Sequence, residues 1–408
     1  RILEHAYSTV PYYKTLFDDN SIVENGKILF DSIPFLEKDT VRNNESLLIS
    51  DKYKSKYISG RLTLKKTSGS TGKYLNVYWS PNDLAITDLE VWRNRRRWYG
   101  VSVKDKYVTF HTSLYNGNNY VKIQKLEFEN DINLSFNKTL LNNNNVSYCI
   151  SKIKSFSPVW MLTQPSVLYI ILTNINTEEI KVLNSLKYIE LTGEYVHSNT
   201  MDYFRQSLPN VKLSNMYGTT ETGCIALECP FGHKHILNNT YVELRNKESM
   251  NLYGEDIILT SLRNMSMPFI RYCIGDKGII YKNECLCGYK GYDIEIKVGR
   301  ESDIIELPDG CKILSSALLA PMEDVNNEFN NPIIHFHFIQ DDLNSFRIYV
   351  RLKKEYKSWE ETIKDSILDS MKKHISNVIN YSVEYDYDIL LNTTNKLKIY
   401  TKAYRRET

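Results

Sequence analysis

Seven consecutive residues, Thr67-Ser68-Gly69-Ser70-Thr71-Gly72-Lys73, combine two glycines, four hydroxyl side chains and a lysine. That mixture suits an anion. Glycines let the backbone curl until several amide N–H groups converge, hydroxyls add short donors, and lysine brings a mobile positive charge. The spacing is not that of the nucleotide-binding P-loop, which needs glycine five residues ahead of the Gly-Lys pair and Ser or Thr after the lysine. Thr67 and Tyr74 stand at those positions. The reading is therefore a phosphate loop of another kind, with a solvated turn as its bland competitor.

Three more clusters could serve a nucleotide. In Asn215-Met216-Tyr217-Gly218-Thr219-Thr220-Glu221, an aromatic ring could stack a purine, glycine would allow close backbone approach, and the carboxylate could hold magnesium near phosphate. Asp276, beside Gly275 in Arg271-Tyr272-Cys273-Ile274-Gly275-Asp276, could accept from both ribose hydroxyls. Arg300, after Gly299, could reach ribose or phosphate. Taken singly, Tyr217 reads as easily as a core aromatic, Glu221 as a surface charge, Asp276 as a turn residue and Arg300 as a solvated one.

The cysteines carry a separate signal. Cys229 lies six residues before His235, and Cys285-Leu286-Cys287 follows about fifty residues on. Three thiolates with a choice of His233 or His235 suit tetrahedral zinc, His235 being the better match, and four occupied positions would make the site structural. Cys149, Cys224, Cys273 and Cys311 read as packing residues.

The elements positioning these groups alternate between strand and helix. Val159-Trp160-Met161-Leu162 is a short apolar run, Pro165 opens a helix-like segment through Ile171, and Tyr188-Ile189-Glu190-Leu191 is a second run ending at Gly193. Val211-Lys212-Leu213 leads into a third loop. The pattern predicts an α/β layout with a largely buried sheet and ligands at the strand-end loops. Further on, Phe346, Ile348, Val350 and Leu352 alternate with polar residues as a half-exposed strand. Ile363, Ile367, Met371, Ile375 and Ile379 recur every four residues as a helix face, and Val383, Tyr385 and Tyr387 alternate again. This predicts a small α+β unit, with a boundary at residues 298–303.

With 408 residues, 42% hydrophobic and 25% charged, the chain can support about two or three domains. Its 51 basic and 49 acidic residues leave a net charge of +2, with no basic-aromatic stripe, so neither nucleic acid nor an anionic membrane is an expected partner. No apolar run approaches the roughly 18–20 residues that span a bilayer, and a cytoplasmic location is the expectation. Seven scattered cysteines argue against a disulfide framework.

The order of these motifs, with Asn395-Lys396-Leu397-Lys398 near the end, resembles the adenylate-forming superfamily of acyl-CoA synthetases, luciferases and peptide-synthetase adenylation domains. Within it the chain looks most like the phenylacetate–CoA ligase-like branch. Val10-Pro11-Tyr12-Tyr13-Lys14 and Ile33-Pro34-Phe35-Leu36-Glu37-Lys38 are similar to that branch's opening, Leu191-Thr192-Gly193-Glu194 to its adenine loop, and Glu228-Cys229 follows the Tyr-Gly motif as it does there.

The resemblance implies a large α/β N-terminal adenylation domain (1–299), a hinge (300–303) and a smaller mobile α+β C-terminal domain (304–408). ATP with Mg2+ would activate a small carboxylic acid as acyl-AMP, releasing pyrophosphate, and the acyl group would pass to CoA, a carrier-protein thiol or an amine. A non-catalytic zinc-containing scaffold is the competing class, and the oligomeric state is open. Carried over by position, Thr67, Ser68, Gly69, Ser70, Thr71, Gly72 and Lys73 would grip the phosphates, and Gly193, Glu194, Tyr217, Gly218 and Thr219 would frame adenine. Glu221 would hold magnesium, Asp276 and Arg300 the ribose and phosphate, and Lys396, with Lys398 its rival, would be the catalytic lysine, joined by Glu221 and Thr220 as catalytic residues. Elements like those carrying Cys229, His235, Cys285 and Cys287 occur in the same branch, and the resemblance implies a structural zinc on these residues. The acyl pocket would draw on His111, Tyr115, Trp160 and Tyr195, whose aromatic character suits an aryl or arylacetic acid. The chain departs from the family pattern at the hinge, where Ser302 precedes Asp303, and at Asn395, where glycine is usual.

Overall fold

The computed structural model describes residues 1–67, 75–111, 115–116, 119–120, 126–141, 144–246, 254–298, 304–310, 312–314, 318–330, 332–385 and 400–403. The apolar runs become the middle of a sheet. Trp160–Thr163 lies between Tyr107–His111 and Tyr188–Thr192, all parallel, and the parallel block extends to Asn133–Asn137 on one side and Lys212–Thr219 on the other. Because successive side chains alternate faces, Met161 and Ile189 enter one core beneath the helices Val146–Phe156, Pro165–Asn174 and Ser198–Ser207. Trp160 and Tyr188 enter another, with Trp98 and Tyr99. Each fully buried Ile, Leu or Phe on these faces contributes roughly 1.5–3 kcal/mol. Pro165 stands in the first turn of its helix, where a missing N–H costs nothing.

The same sheet changes character past Thr219. Gly223–Glu228, Lys234–Ile236, Lys290–Val298, Tyr272–Glu284, Glu255–Ser261 and Thr240–Leu244 continue it as antiparallel neighbours, for twelve strands among the described residues. The Tyr-Gly motif, expected as a loop after a strand, is itself strand: Lys212–Thr219 runs on through it and turns back as a hairpin, with a bulge at Tyr217/Gly218. Glycine at 218 is required by close approach, since a Cβ there would lie 3.0 Å from the Gly223 carbonyl oxygen.

One buried ion pair ties the layers together. The helix Pro81–Asn94 continues into a wider turn, Arg95–Tyr99, and the Arg95 guanidinium sits between the rings of Trp92 (4.7 Å) and Trp160 (5.0 Å). Its Nε and Nη2 donate to the two oxygens of Glu190 at 2.8 and 2.5 Å, and Tyr188 Oη donates to the same carboxylate at 2.7 Å. Glu190 is fully buried, so this charge exists only because it is paired.

The C-terminal part forms its own unit. Asn380–Tyr385, Ser345–Leu352, Ile333–Asp342 and Tyr400–Lys402 pair in that order, with the helices Leu319–Glu328 and Glu360–His374 packed on them. Ile363, Ile367 and Met371 form the expected buried face. The helix ends at His374, so Ile375 caps it and Ile379 reaches the core from the connection that follows. Tyr169 of the large unit meets His335 and Arg351 of the small one, at ring distances of 5.5 Å each. Residues 299–303, where the boundary is expected, lie outside the described residues. No helix among the described residues is long and apolar enough to cross a membrane.

Candidate active site

The adenine, ribose and magnesium candidates converge at the junction of the parallel and antiparallel halves of the sheet. Tyr217 Oη donates to Asp276 Oδ2 at 2.8 Å, joining residues 59 apart in sequence. Glu221, 3% exposed, sits in the same hairpin, and its Oε1 accepts from Tyr272 Oη at 2.8 Å. Burial raises the Glu221 carboxyl above the ordinary range, and Asp276 adds to the rise, while the Tyr272 hydroxyl and Lys38 oppose it. A buried carboxylate held between a phenol and a nearby cation can bind a metal ion, whose charge would favour the ionised form. Thr219 Oγ1 accepts from the Thr222 amide at 3.1 Å, and the Thr220 carbonyl accepts from Trp79 Nε1 at 3.0 Å.

Lys38 is a neighbour that the sequence reading named only as part of the opening motif. Its position follows from Arg271, which adopts φ +51°, pairs with Glu243 at 2.9 Å and donates to the carbonyls of Asp31 and Ile33. Leu36 then bridges the start of the Tyr272–Glu284 strand in both directions. Two residues on, the Lys38 ammonium lies 3.6 Å from where a Gly275 Cβ would be. The charge beside Glu221 was thus legible as a motif but not as a site.

The strands Thr63–Lys66 and Asn76–Trp79 pair on either side of the segment expected to hold phosphate. Thr67 extends that pairing, with its amide donating to the Leu75 carbonyl at 3.0 Å and its Oγ1 accepting from the Leu75 amide at 2.8 Å. Ser68, Gly69, Ser70, Thr71, Gly72 and Lys73 lie outside the described residues, as do Arg300 and Lys396.

The carboxyl ends of the parallel strands bring the remaining candidates into a row. Gly193 has φ +79°, a conformation natural to glycine, and delivers Glu194 to the start of the neighbouring helix. There its two oxygens accept from the Ser166 amide (3.0 Å) and hydroxyl (2.9 Å). His111 ends the adjoining strand, and Tyr195 is exposed with its ring 4.7 Å from His197. Tyr115 falls in a two-residue strand, and its side chain lies outside the described residues. Trp160 requires correction as a pocket candidate. It begins its strand at the opposite end of the sheet, 1% exposed and stacked on Tyr107 at 5.0 Å, where its role is core packing around Arg95.

The cysteine cluster assembles as the spacing suggested. One ligand atom from each of Cys229, His235, Cys285 and Cys287 lies within 4.8 Å of all the others. Cys229 Sγ and Cys285 Sγ are 3.7 Å apart, far beyond a disulfide bond and close to the sulfur–sulfur edge of about 3.8 Å that zinc–sulfur bonds of about 2.3 Å require. His235 turns Nε2 towards Cys287 Sγ at 3.2 Å and Nδ1 towards the buried Asp293 at 2.5 Å. His233, by contrast, is 40% exposed and rests against Asp293 and Asn283. The donor set fits zinc. Asp293 was not found from sequence; its signal is the strand pairing that sets it opposite His235.

No protein-family model and no curated protein matches the chain. Solved structures do. The chain is similar to 2-hydroxyisobutyryl-CoA ligase in its postadenylation state, bound to an acyl-AMP (TM-score 0.71, 14% identity, covering 98% of this chain and 87% of that one). It also resembles the anthranilate CoA ligase AuaEII with anthranoyl-AMP (0.53, 15%, 82% and 65%). A third match comes from a study of fatty acyl-adenylate ligases of E. coli and L. pneumophila (0.53, 12%, 82% and 67%). The fold is therefore the one these adenylate-forming ligases share.

Proposed function

We propose that the chain activates a small carboxylic acid with ATP, forming acyl-AMP and pyrophosphate, and then passes the acyl group to a thiol. The observation that carries the reading is the Tyr217–Asp276 hydrogen bond beside buried Glu221, at the junction of the parallel and antiparallel halves of the sheet. In this reading Asp276 takes the ribose hydroxyls, Tyr217 lies against adenine, and Glu221 holds magnesium, which would offset phosphate charge. The acid's carboxylate attacks the α-phosphorus and pyrophosphate leaves. Two anions must meet, so most of the catalysis is positioning and charge stabilisation, with Lys396 as the cation bridging carboxylate and α-phosphate. The phosphate grip of residues 67–73, Arg300, the division into domains 1–299 and 304–408, and the phenylacetate–CoA ligase-like subclass belong to the same proposal, and zinc on the Cys3His cluster is its structural component. Fold likeness to acid–CoA ligases supports CoA as the thiol.

Carboxylate-dependent ATP–pyrophosphate exchange tests this reading. Lys396→Ala should reduce exchange by about 100-fold or more, in keeping with loss of a preorganised charge at the reacting centre. Unchanged exchange would remove Lys396 from its role, and no exchange with any aromatic, arylacetic, aliphatic or amino acid in the unaltered protein would remove the reading.

A further inference from the structure

Two tyrosines and two carboxylates cross between the elements that build the site. Tyr217 and Glu221 belong to the hairpin of Lys212–Thr219 and Gly223–Glu228, whereas Tyr272 and Asp276 belong to the strand Tyr272–Glu284. In the sheet the strands Lys234–Ile236 and Lys290–Val298 lie between the two elements. The side chains nevertheless meet. Tyr217 Oη donates to Asp276 Oδ2 and Tyr272 Oη to Glu221 Oε1, both at 2.8 Å, so each element supplies a phenol to the other's carboxylate.

The Tyr272 ring is fully buried, with Phe269 set edge-on against it at 5.1 Å, and its backbone is bridged to Leu36. Its hydroxyl is therefore a fixed point. Glu221 stands in the hairpin turn and is 3% exposed, yet among the described residues it receives one side-chain hydrogen bond, that of Tyr272, and forms no ion pair. Lys38 acts on it from beyond ion-pair distance. A buried carboxylate so sparsely partnered is costly.

A phenol needs only an acceptor, and a neutral amide or carbonyl would satisfy Tyr272 at lower cost than a buried charge. Satisfying Tyr272 does not explain the charge. With Oε1 tied to the phenol, Oε2 has no side-chain donor, and a cation arriving with the nucleotide would complete it. Glutamate is a long, rotatable side chain, so a hydrogen bond to one oxygen fixes the direction of the other.

We propose that Tyr272 is a positioning residue of the adenylation site: its hydroxyl orients the Glu221 carboxylate so that Oε2 meets the magnesium accompanying ATP, as the Tyr217 hydroxyl orients Asp276 for ribose. This role rests on the adenylation reading and falls to a residue that the sequence motif left without one. Tyr272 touches neither metal nor nucleotide in this scheme. Its effect should therefore appear in how strongly metal and nucleotide reinforce each other's binding, not in the affinity for nucleotide alone.

Calorimetry with the α,β-methylene analogue of ATP, which cannot release pyrophosphate, measures binding to the full chain with and without Mg2+. Mg2+ should tighten binding to the unaltered chain by about tenfold or more and to Tyr272→Phe by no more than about twofold, with metal-free affinity within about twofold of the unaltered value. Tyr217→Phe, acting on Asp276, should weaken binding alike in both conditions. Glu221→Gln leaves Tyr272 an acceptor but removes the charge, so it should abolish the metal effect and melt at least as high as the unaltered chain. Carboxylate-dependent exchange by Tyr272→Phe should fall by about tenfold in kcat, with the KM for the acid unchanged. A metal effect of unaltered size in folded Tyr272→Phe or in Glu221→Gln would overturn the inference while leaving adenylation intact. Equal weakening of Tyr272→Phe with and without Mg2+, or a Glu221→Gln that melts well below the unaltered chain, would overturn it too, since each marks a purely structural tie. Should Tyr272→Phe not fold, the two Glu221→Gln results decide. Absence of exchange with every acid in the unaltered chain would remove the adenylation reading and this role with it.

Discussion

Replacing Asp293 with Asn tests whether the Cys3His cluster is a metal site and whether its outer support matters. Asp293 is fully buried, its Oδ1 is 2.5 Å from His235 Nδ1, and Asn283 donates to its other oxygen at 2.6 Å. For His235 Nε2 to offer a lone pair to an ion, the ring proton must sit on Nδ1, and a carboxylate acceptor fixes that tautomer. Asparagine keeps the shape but removes the charge and can turn its NH2 towards Nδ1, which favours the opposite tautomer. Loss of such a partner typically costs 10–100-fold in metal affinity, about 1.4–2.8 kcal/mol. Cys285→Ser removes a ligand outright and should cost much more.

Elemental analysis of protein purified without added metal should give about one zinc per chain, and competition with a chromophoric chelator should rank the unaltered protein above Asp293→Asn and that above Cys285→Ser. The metal binds the folded chain, so the melting temperature should fall in the same order. Less than about half an equivalent of zinc in the unaltered protein would refute the site. Equal affinity in Asp293→Asn would refute the tautomer argument while sparing the ligands.

Glu190→Ala should destabilise the protein by about 3–5 kcal/mol in denaturant titration, because Arg95 would remain charged between Trp92 and Trp160 with no counter-ion. Tyr217→Phe removes a donor to Asp276, so the KM for ATP should rise by roughly 3–10-fold with kcat within about twofold; an unchanged KM would separate the pair from ribose binding. His335 is 5% exposed, and burial pushes its pKa down to about 3, with His337, His197 and Arg351 adding to the shift and Tyr169 packed on its ring. Its stability contribution is complete above the unfolded value of about 6.5 and is lost as pH falls below it, by about 2 kcal/mol at pH 5. Melting curves between pH 7 and 5 should show that loss, and His335→Gln should remove it.

What the sequence revealed follows from how local each signal was. The strands Trp160–Thr163 and Tyr188–Thr192 and the helix from Pro165 were legible because apolar runs and a proline act over a few residues. The four candidate zinc ligands were legible because residue type and spacing restrict the chemistry. Trp160 was misplaced because a buried aromatic reads the same at either end of a strand, and strand direction decides which end meets the ligand. Asp293 carries no local pattern at all, and Lys38 belongs to a motif that says nothing of a site. Each gains its meaning from a register or a neighbour supplied by the fold: His235 opposite Asp293, and Leu36 against Tyr272.

The arrangement also separates the two metal questions. Asp276 stands near the beginning of the strand Tyr272–Glu284, and Cys285 directly follows its end, so about nine residues, or roughly 30 Å of extended chain, lie between Asp276 and the Cys3His cluster. Cys229 is likewise one strand, Gly223–Glu228, away from Glu221. An ion at the cluster would be too remote to touch a nucleotide bound at Asp276. It can instead pin the ends of two hairpins, the one carrying Glu221 and the one carrying Asp276, so that their other ends stay in register. Stripping zinc should therefore lower the melting temperature and raise the KM for ATP through looser placement of Asp276, while added magnesium should not restore either. Recovery by magnesium alone would place the essential ion at Glu221 and leave the Cys3His cluster without a part in holding the site.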